Sequence, residues 1–181
     1  MQVTHLFYTF VSVKQLNTTS MKKIGTITLG GCAILSDPGY ELVVSPLSTI
    51  NTIEGEYNVY ITRSKSKDKW LSNRISNIIA IHKDYVKVMN GRLPMDDSED
   101  LNCCVDSGTC GIFDAGYYEE YHFESEIDED WFERMVVQGL PEFRITDGQG
   151  AFSSSGIGDG WYPVFAEYKG TKAYAIRIKF L

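Results

Sequence analysis

The stretch Gly31–Tyr40 reads GCAILSDPGY, and an altered copy of it returns at Gly108–Tyr117 as GTCGIFDAGY. A glycine begins both copies, and an Asp-x-Gly-Tyr motif ends both. Each copy is an apolar run that stops at an aspartate and a glycine, a pattern typical of a β-strand followed by a tight turn. The repetition predicts a chain that contains two related β units.

A second pair of segments follows in the same order and supports this duplication. Glu54–Tyr60 (EGEYNVY) matches Asp159–Phe165 (DGWYPVF), and Ala80-Ile81 matches Ala175-Ile176 on the way to an aromatic residue. Two matched blocks in one order, with different spacers between them, favour a repeated unit. Related halves commonly pack about a pseudo-two-fold axis, which brings their equivalent loops together.

The predicted boundaries follow from these matches. We expect an internal repeat over residues 22–89 and 103–181, a linker at 90–102 and an extra N-terminal strand within 1–20. The whole chain, residues 1–181, suits one compact domain.

Composition sets the fold class. Hydrophobic residues make up 43% of the chain and aromatic residues 13%, which supplies a core and favours strands. One amphipathic segment, Asp128–Gln138, carries acids at its start and a glycine after its end, as a helix does. The predicted fold is therefore mainly β with a minor α component: two related antiparallel β units in a pseudo-two-fold arrangement with one short helix.

Charge and cysteine content narrow the function classes. Residues 1–90 carry ten Lys and Arg against six Asp and Glu, and residues 91–181 carry seven against eighteen. The net charge of −7 argues against general nucleic-acid binding. There is no apolar run long enough to span a membrane and no basic leader segment, so we predict a cytoplasmic protein with four free thiols.

The C-terminal half carries a family resemblance. Ser153–Phe180 contains a Gly-Asp-Gly motif ahead of Tyr-Pro-Val, and Val105–Tyr118 reads VDSGTCGIFDAGYY. Together they resemble the DUF4241 family of bacterial and phage-type proteins; the first half fits the same pattern only through Ile34–Tyr40 (ILSDPGY). The resemblance implies an architecture and a bacterial or phage setting, and it implies no reaction.

The glycine-rich stretch at residues 156–160, which leads into the Tyr-Pro-Val segment, is the first candidate site. Its glycines allow the backbone to approach a ligand, and its N–H groups can surround an anion. It precedes a strand rather than a helix, which excludes a dinucleotide-binding motif. The alternative is a tight hairpin whose glycines only supply positive φ angles. The predicted ligand-binding residues here are Ser155, Gly156, Gly158, Asp159, Gly160 and Trp161.

The Asp-x-Gly-Tyr turns add four further candidates, Asp37, Tyr40, Asp114 and Tyr117. Carboxylates that meet at a pseudo-two-fold axis can bind a ligand or a divalent cation. The ordinary alternative is that each aspartate bonds its own downstream backbone, while each tyrosine packs at the start of a strand.

The most basic stretch, Arg63–Arg74, contains Trp70 and is predicted to be an extended hairpin loop. Trp70 either belongs to a partner surface or folds back onto the sheet.

The predicted function is a non-catalytic cytoplasmic binding protein. It would sequester a small polar ligand, such as a nucleotide-type molecule, in a bacterial or phage conflict. No catalytic residue, metal site or cofactor is predicted, because the histidines lie in unrelated contexts. One alternative is a protein–protein or immunity module that uses Trp70, Trp161 and residues 119–133. The pseudo-two-fold arrangement is also compatible with a homodimer. A metal-dependent hydrolase using Asp37, Asp114 and Asp159 is a third hypothesis.

Overall fold

A computed structural model describes residues 20–39, 48–94, 97–123 and 142–181. The predicted N-terminal strand, the predicted helix at Asp128–Gln138 and the candidate residue Tyr40 lie outside these ranges. The side chains of 97–100 and 121–123 are likewise outside the description.

The described chain is mainly β, as the composition predicts. Two helices are short: α1 (Val86–Met89), entered through a 3-10 turn at Lys83–Tyr85, and α2 (Ala115–Phe123). The strands are β1 (Lys22–Leu29), β2 (Cys32–Ser36), β3 (Ser48–Asn51), β4 (Gly55–Arg63), β5 (Ile75–His82), β6 (Asp97–Val105), β7 (Thr109–Asp114), β8 (Phe143–Thr146), β9 (Gly150–Ser154), β10 (Gly160–Lys169) and β11 (Lys172–Lys179).

The strands form two antiparallel sheets whose strand order is nearly symmetric. The six-stranded sheet has the order β1-β4-β5-β11-β10-β6, so each half contributes three strands and β5 meets β11 at the centre. The five-stranded sheet has the order β3-β2-β7-β9-β8, with β2 beside β7. This order is the pattern that a pseudo-two-fold axis between the halves produces.

Strand register identifies the equivalent residues. Gly55 lies opposite Leu29 on β1, and Gly160 lies opposite Val105 on β6. This agrees with the match between β4 and β10, and it makes β6 the counterpart of β1. The predicted linker at 90–102 is therefore only partly a connection, since the chain forms β6 from Asp97 onward.

The predicted match between Ala80-Ile81 and Ala175-Ile176 is displaced in the structure. Val59 pairs with Ala80, whereas the equivalent Val164 pairs with Ile178. The structural counterpart of Ala80 is therefore Ile178, and the predicted alignment with Ala175 is wrong. The two hairpins have connections of different length, and matching short apolar sequences does not reveal such a shift.

The main core lies between the sheets. Inward-facing side chains of β4 and β5, such as Val59, Ile61 and Ile78, pack against Leu35 and Ile112 of the smaller sheet. The alternate residues of β5 face the other way, and Ile79 and Ile81 form a small second core with Met89 of α1. This explains why β5 is buried throughout: both of its faces are covered.

The cysteines differ from the prediction of four free thiols. Cys103 of β6 and Cys110 of β7 form a disulfide, and both are fully buried. The bond joins the six-stranded sheet to the five-stranded sheet through the core. Cys32 and Cys104 are free.

Candidate functional site

Asp37 holds the loop that connects β6 to β7. Its side chain is fully buried, and its Oδ2 accepts hydrogen bonds from the backbone N–H groups of Asp106 (2.8 Å) and Ser107 (2.6 Å). Its Oδ1 accepts from the Ser107 hydroxyl (2.6 Å) and from the Gly39 N–H (2.8 Å). Only the Gly39 bond is the local turn contact that sequence predicts.

Asp114, in the second half, holds a loop of the first half in the same way. Its Oδ2 accepts from the N–H of Gly30 (2.6 Å), in the connection between β1 and β2. Its Oδ1 accepts from the N–H of Tyr117 (3.2 Å), which caps α2. The strand predicted from Tyr117 onward is therefore wrong: the capped segment Ala115–Phe123 is helical.

The two tyrosines that follow Asp114 are structural in different ways. Tyr117 is 3% exposed and donates to Asp147 Oδ2 (2.9 Å). Tyr118, which sequence did not single out, is the phenol that crosses between the halves, donating to the Asp37 carbonyl (3.1 Å). Burial raises the pKa of Tyr118, so the phenol remains a donor at physiological pH.

The two aspartates do not meet at the axis. Asp114 pairs with Ala33, four residues before Asp37, so the aspartates lie near opposite ends of the β2–β7 ladder, roughly 13 Å apart along it. No group of three or more metal-ligating side chains occurs in the part of the chain that the structure describes. Each aspartate instead bonds the loop of the other half, which explains why the motif repeats.

The glycine-rich stretch is held by its own hydrogen bonds. The Ser155 hydroxyl donates to the Gly158 carbonyl (2.5 Å) and accepts from the Gly158 N–H (3.1 Å). The Tyr162 hydroxyl also donates to the Gly158 carbonyl (2.6 Å). In the first half, the equivalent Tyr57 donates to the Ile53 carbonyl (2.8 Å). Because both halves share this hydrogen bond, the loop has a structural role. These hydrogen bonds do not use the outer surface of the loop.

The glycines differ in what they do. A Cβ on Gly156 would lie 2.2 Å from the Ile75 carbonyl oxygen, so no other residue fits there without movement. A Cβ on Gly158 would meet nothing within 4 Å, although its φ of +104° still favours glycine. Gly156 is thus required by packing, whereas Gly158 borders open space.

That open space is a cavity of about 340 Å³, which we call the loop cavity. Arg74 contributes its charge: its Nη1 donates to the Gly156 carbonyl (2.7 Å), and its Nε donates to the Trp70 carbonyl (2.6 Å). Residues of both halves line the loop cavity: Arg74, Ile75, Gly108, Glu142, Ser154, Gly156 and Gly158.

Trp70 does not line the loop cavity but contacts Arg74, which does. Its side chain is 57% exposed, and the Arg74 guanidinium carbon lies 4.4 Å from the ring centroid. Trp70 therefore contacts a cation at the surface rather than folding back onto the sheet. Trp161 is also exposed, at 64%, but it and Asp159 do not line the loop cavity.

Glu142 supplies the opposite charge. Both of its oxygens accept from the guanidinium of Arg63, with Nη1 3.0 Å from Oε1. The hydrogen bond from Arg63 lowers the pKa of Glu142, so the carboxylate is ionised near neutral pH. The loop cavity thus has both a cation and an anion in its wall.

Sequence reasoning did not identify Arg74, Glu142 or Gly108 as site residues. The signal that the sequence offers is the basic, tryptophan-containing loop at Arg63–Arg74, which an anionic ligand would need because the overall charge is negative. Glu142 and Gly108 reach the loop cavity through sheet pairing, which a single sequence does not specify.

Cys32 is a free thiol and a weak nucleophile. Burial, together with the negative charges of Asp114 and Glu119, raises the pKa of Cys32. The thiol therefore stays protonated near neutral pH.

Comparison with protein-family models, with curated proteins and with solved structures returned no match. The resemblance to DUF4241 therefore stays a prediction. No helix in the described part of the chain is long and apolar enough to cross a membrane.

Proposed function

We propose that the chain is a non-catalytic binding protein that holds a small polar ligand in the loop cavity. The observation that carries this proposal is the convergence of Gly108, Gly156 and Gly158 with Arg74 around one cavity of about 340 Å³. Small-molecule sites are concave and have a few placed polar groups, and this volume lies at the small end of their range.

The charged groups of the loop cavity suit binding better than proton transfer. Arg74 is fixed by two backbone carbonyls, and Glu142 is fixed by Arg63. A general acid or base works best with a pKa near the working pH, whereas the pKa of Glu142 is shifted downward, away from neutrality. This supports a role in orienting a ligand rather than in proton transfer.

Trp70, which contacts the lining residue Arg74 beside the loop cavity, favours a ligand with a planar ring. Trp70 exposes more than half of its surface beside Arg74, and a nucleobase can stack on such an aromatic platform. The Arg74 guanidinium can bind a polar or anionic group. A nucleoside or nucleotide combines the two features. The bacterial or phage conflict setting and the cytoplasmic location are proposals that depend on the DUF4241 resemblance and on composition.

The test is ligand binding by Trp70→Ala and Trp161→Ala, a matched pair of exposed tryptophans. Native mass spectrometry of the purified protein and thermal unfolding with a nucleoside and nucleotide panel would identify the ligand. Losing one stacked base costs roughly 1–3 kcal/mol, so we expect Trp70→Ala to weaken binding about 5- to 150-fold. Trp161→Ala should bind normally, and both variants should unfold at the wild-type temperature without ligand.

Equal loss in both variants, or no stabilisation by any panel member, would contradict this proposal. The second candidate, a protein–protein module, would then be favoured by the exposed Trp70, Ile157 and Trp161 and by the exposed acids Glu119 and Glu120 of α2. In that case Glu119→Lys/Glu120→Lys should abolish capture of the partner in a pull-down.

A further inference from the structure

A second cavity, of about 320 Å³, lies on the face of the six-stranded sheet that points away from the five-stranded sheet. We call it the outer cavity. Its lining is basic and contains no acidic side chain among the described residues. The lining residues are Arg63, Ser64, Lys65, Ser76, Asn77, Leu93, Arg177, Lys179 and Leu181.

Strand pairing places the polar groups of the outer cavity together. Arg177 and Lys179 are two residues apart on β11, so they share a face, and Asn77 on β5 lies directly opposite Lys179. Arg177 is only 6% exposed, and its guanidinium carbon lies 4.0 Å from the centroid of Phe165. The ring fixes the direction of the guanidinium, which reduces the entropy lost when it binds an anion.

Two lysines contribute charge that the described residues do not neutralise. Lys65 and Lys179 are exposed, and neither forms an ion pair with any described residue. Arg63 is bound by Glu142 and adds little free charge. A basic cavity of this kind is unexpected on a chain with a net charge of −7. Its local potential attracts a small anion, whereas the overall charge repels a long polyanion.

Asn77 supplies a second, independent indication of a ligand. Its side chain is 6% exposed, and its Nδ2 donates to Thr62 Oγ1 (2.7 Å). Its Oδ1 is buried and has no hydrogen-bond partner among the described residues. A buried acceptor without a donor is costly, so it favours a ligand that brings a hydroxyl group.

We propose that the outer cavity binds a compact phosphate ester that also carries hydroxyl groups, the chemical class of sugar phosphates. Lys65, Lys179 and Arg177 would contact the phosphate, and the Asn77 side chain would bond a ligand hydroxyl. This site is separate from the loop cavity and does not depend on the ligand proposed there.

The test uses a hexose phosphate, the same hexose without phosphate, and inorganic phosphate. Isothermal titration and thermal unfolding are measured against potassium chloride at matched ionic strength. We expect saturable binding in the order hexose phosphate, inorganic phosphate, free hexose. Because each lost charge-assisted contact weakens binding substantially, Lys65→Gln/Lys179→Gln should raise the Kd for hexose phosphate roughly tenfold or more.

The matched control is Lys67→Gln/Lys87→Gln, which removes the same charge from exposed lysines that do not line the outer cavity. The control should bind the hexose phosphate as the wild type does. Equal weakening in both double variants, or an equal thermal shift with potassium chloride, would overturn the proposal. Loss of phosphate binding in Trp70→Ala, with binding retained in Lys65→Gln/Lys179→Gln, would also overturn it, because the anion would then occupy the loop cavity.

Discussion

Asp37 shows how a single residue joins the two halves of the chain. Its buried carboxylate accepts four hydrogen bonds, three of them from Asp106 and Ser107 on the connection between β6 and β7. We predict that Asp37→Ala lowers the unfolding free energy by at least about 3 kcal/mol, because the donors lose a charged acceptor. Urea denaturation measures this change.

Asp159→Ala is the matched control for that measurement. It removes the same charge from an exposed position for which the structure shows no side-chain hydrogen bond to a described residue, and it should shift the unfolding free energy by less than about 0.5 kcal/mol. Similar losses in both variants would show that the hydrogen bonds of Asp37 add nothing beyond its charge.

At the scale of elements, the ion pair of Arg63 and Glu142 fixes the end of β4 against the start of β8. The pKa of Glu142 is lowered in the folded chain, so the pair stabilises fully above the ordinary glutamate pKa of about 4.3. This stabilisation disappears as the pH falls through the folded-state value. We therefore predict that the stability difference between wild type and Glu142→Gln narrows between pH 6 and pH 3.

The effect should be small, because Glu142 is 57% exposed and solvent screens the pair. Glu120→Gln, on the exposed surface of α2, is the control and should show no comparable narrowing. If the unfolding free energies of wild type and Glu142→Gln differ by the same amount across this pH range, the ion pair does not stabilise the fold.

At the scale of the whole molecule, the halves depend on one another. β5 pairs with β11, β2 pairs with β7, and the Cys103–Cys110 disulfide joins the two sheets. A fragment that contains only residues 97–181 loses its partners in both sheets and exposes the inward face of β11. We predict that it shows no cooperative unfolding transition by circular dichroism, while the full chain shows one. A cooperative transition in the fragment would show that the second half folds alone.

Much of the fold could be predicted because its signals are local. The alternation of apolar residues and the Asp-x-Gly-Tyr and glycine punctuation predict strands and turns within a few residues of each signal. Tyr117 was the exception: its aromatic neighbours favour a strand, but Asp114 caps a helix there. The candidate site was harder to predict, since the loop cavity takes Gly156 and Gly158 from the predicted stretch but Arg74 and Glu142 from elsewhere.

The sequence by itself determined the mainly β character, the repeated motif and the positions of the turns that glycine and aspartate mark. These depend on the backbone preferences of neighbouring residues. Tertiary structure alone decided that Asp37 bonds residues 69 and 70 positions away and that Arg63 meets Glu142 across 79 positions. The register of the paired strands sets such contacts. A shift like that between the two hairpins changes which side chains meet, while the local sequence pattern stays the same.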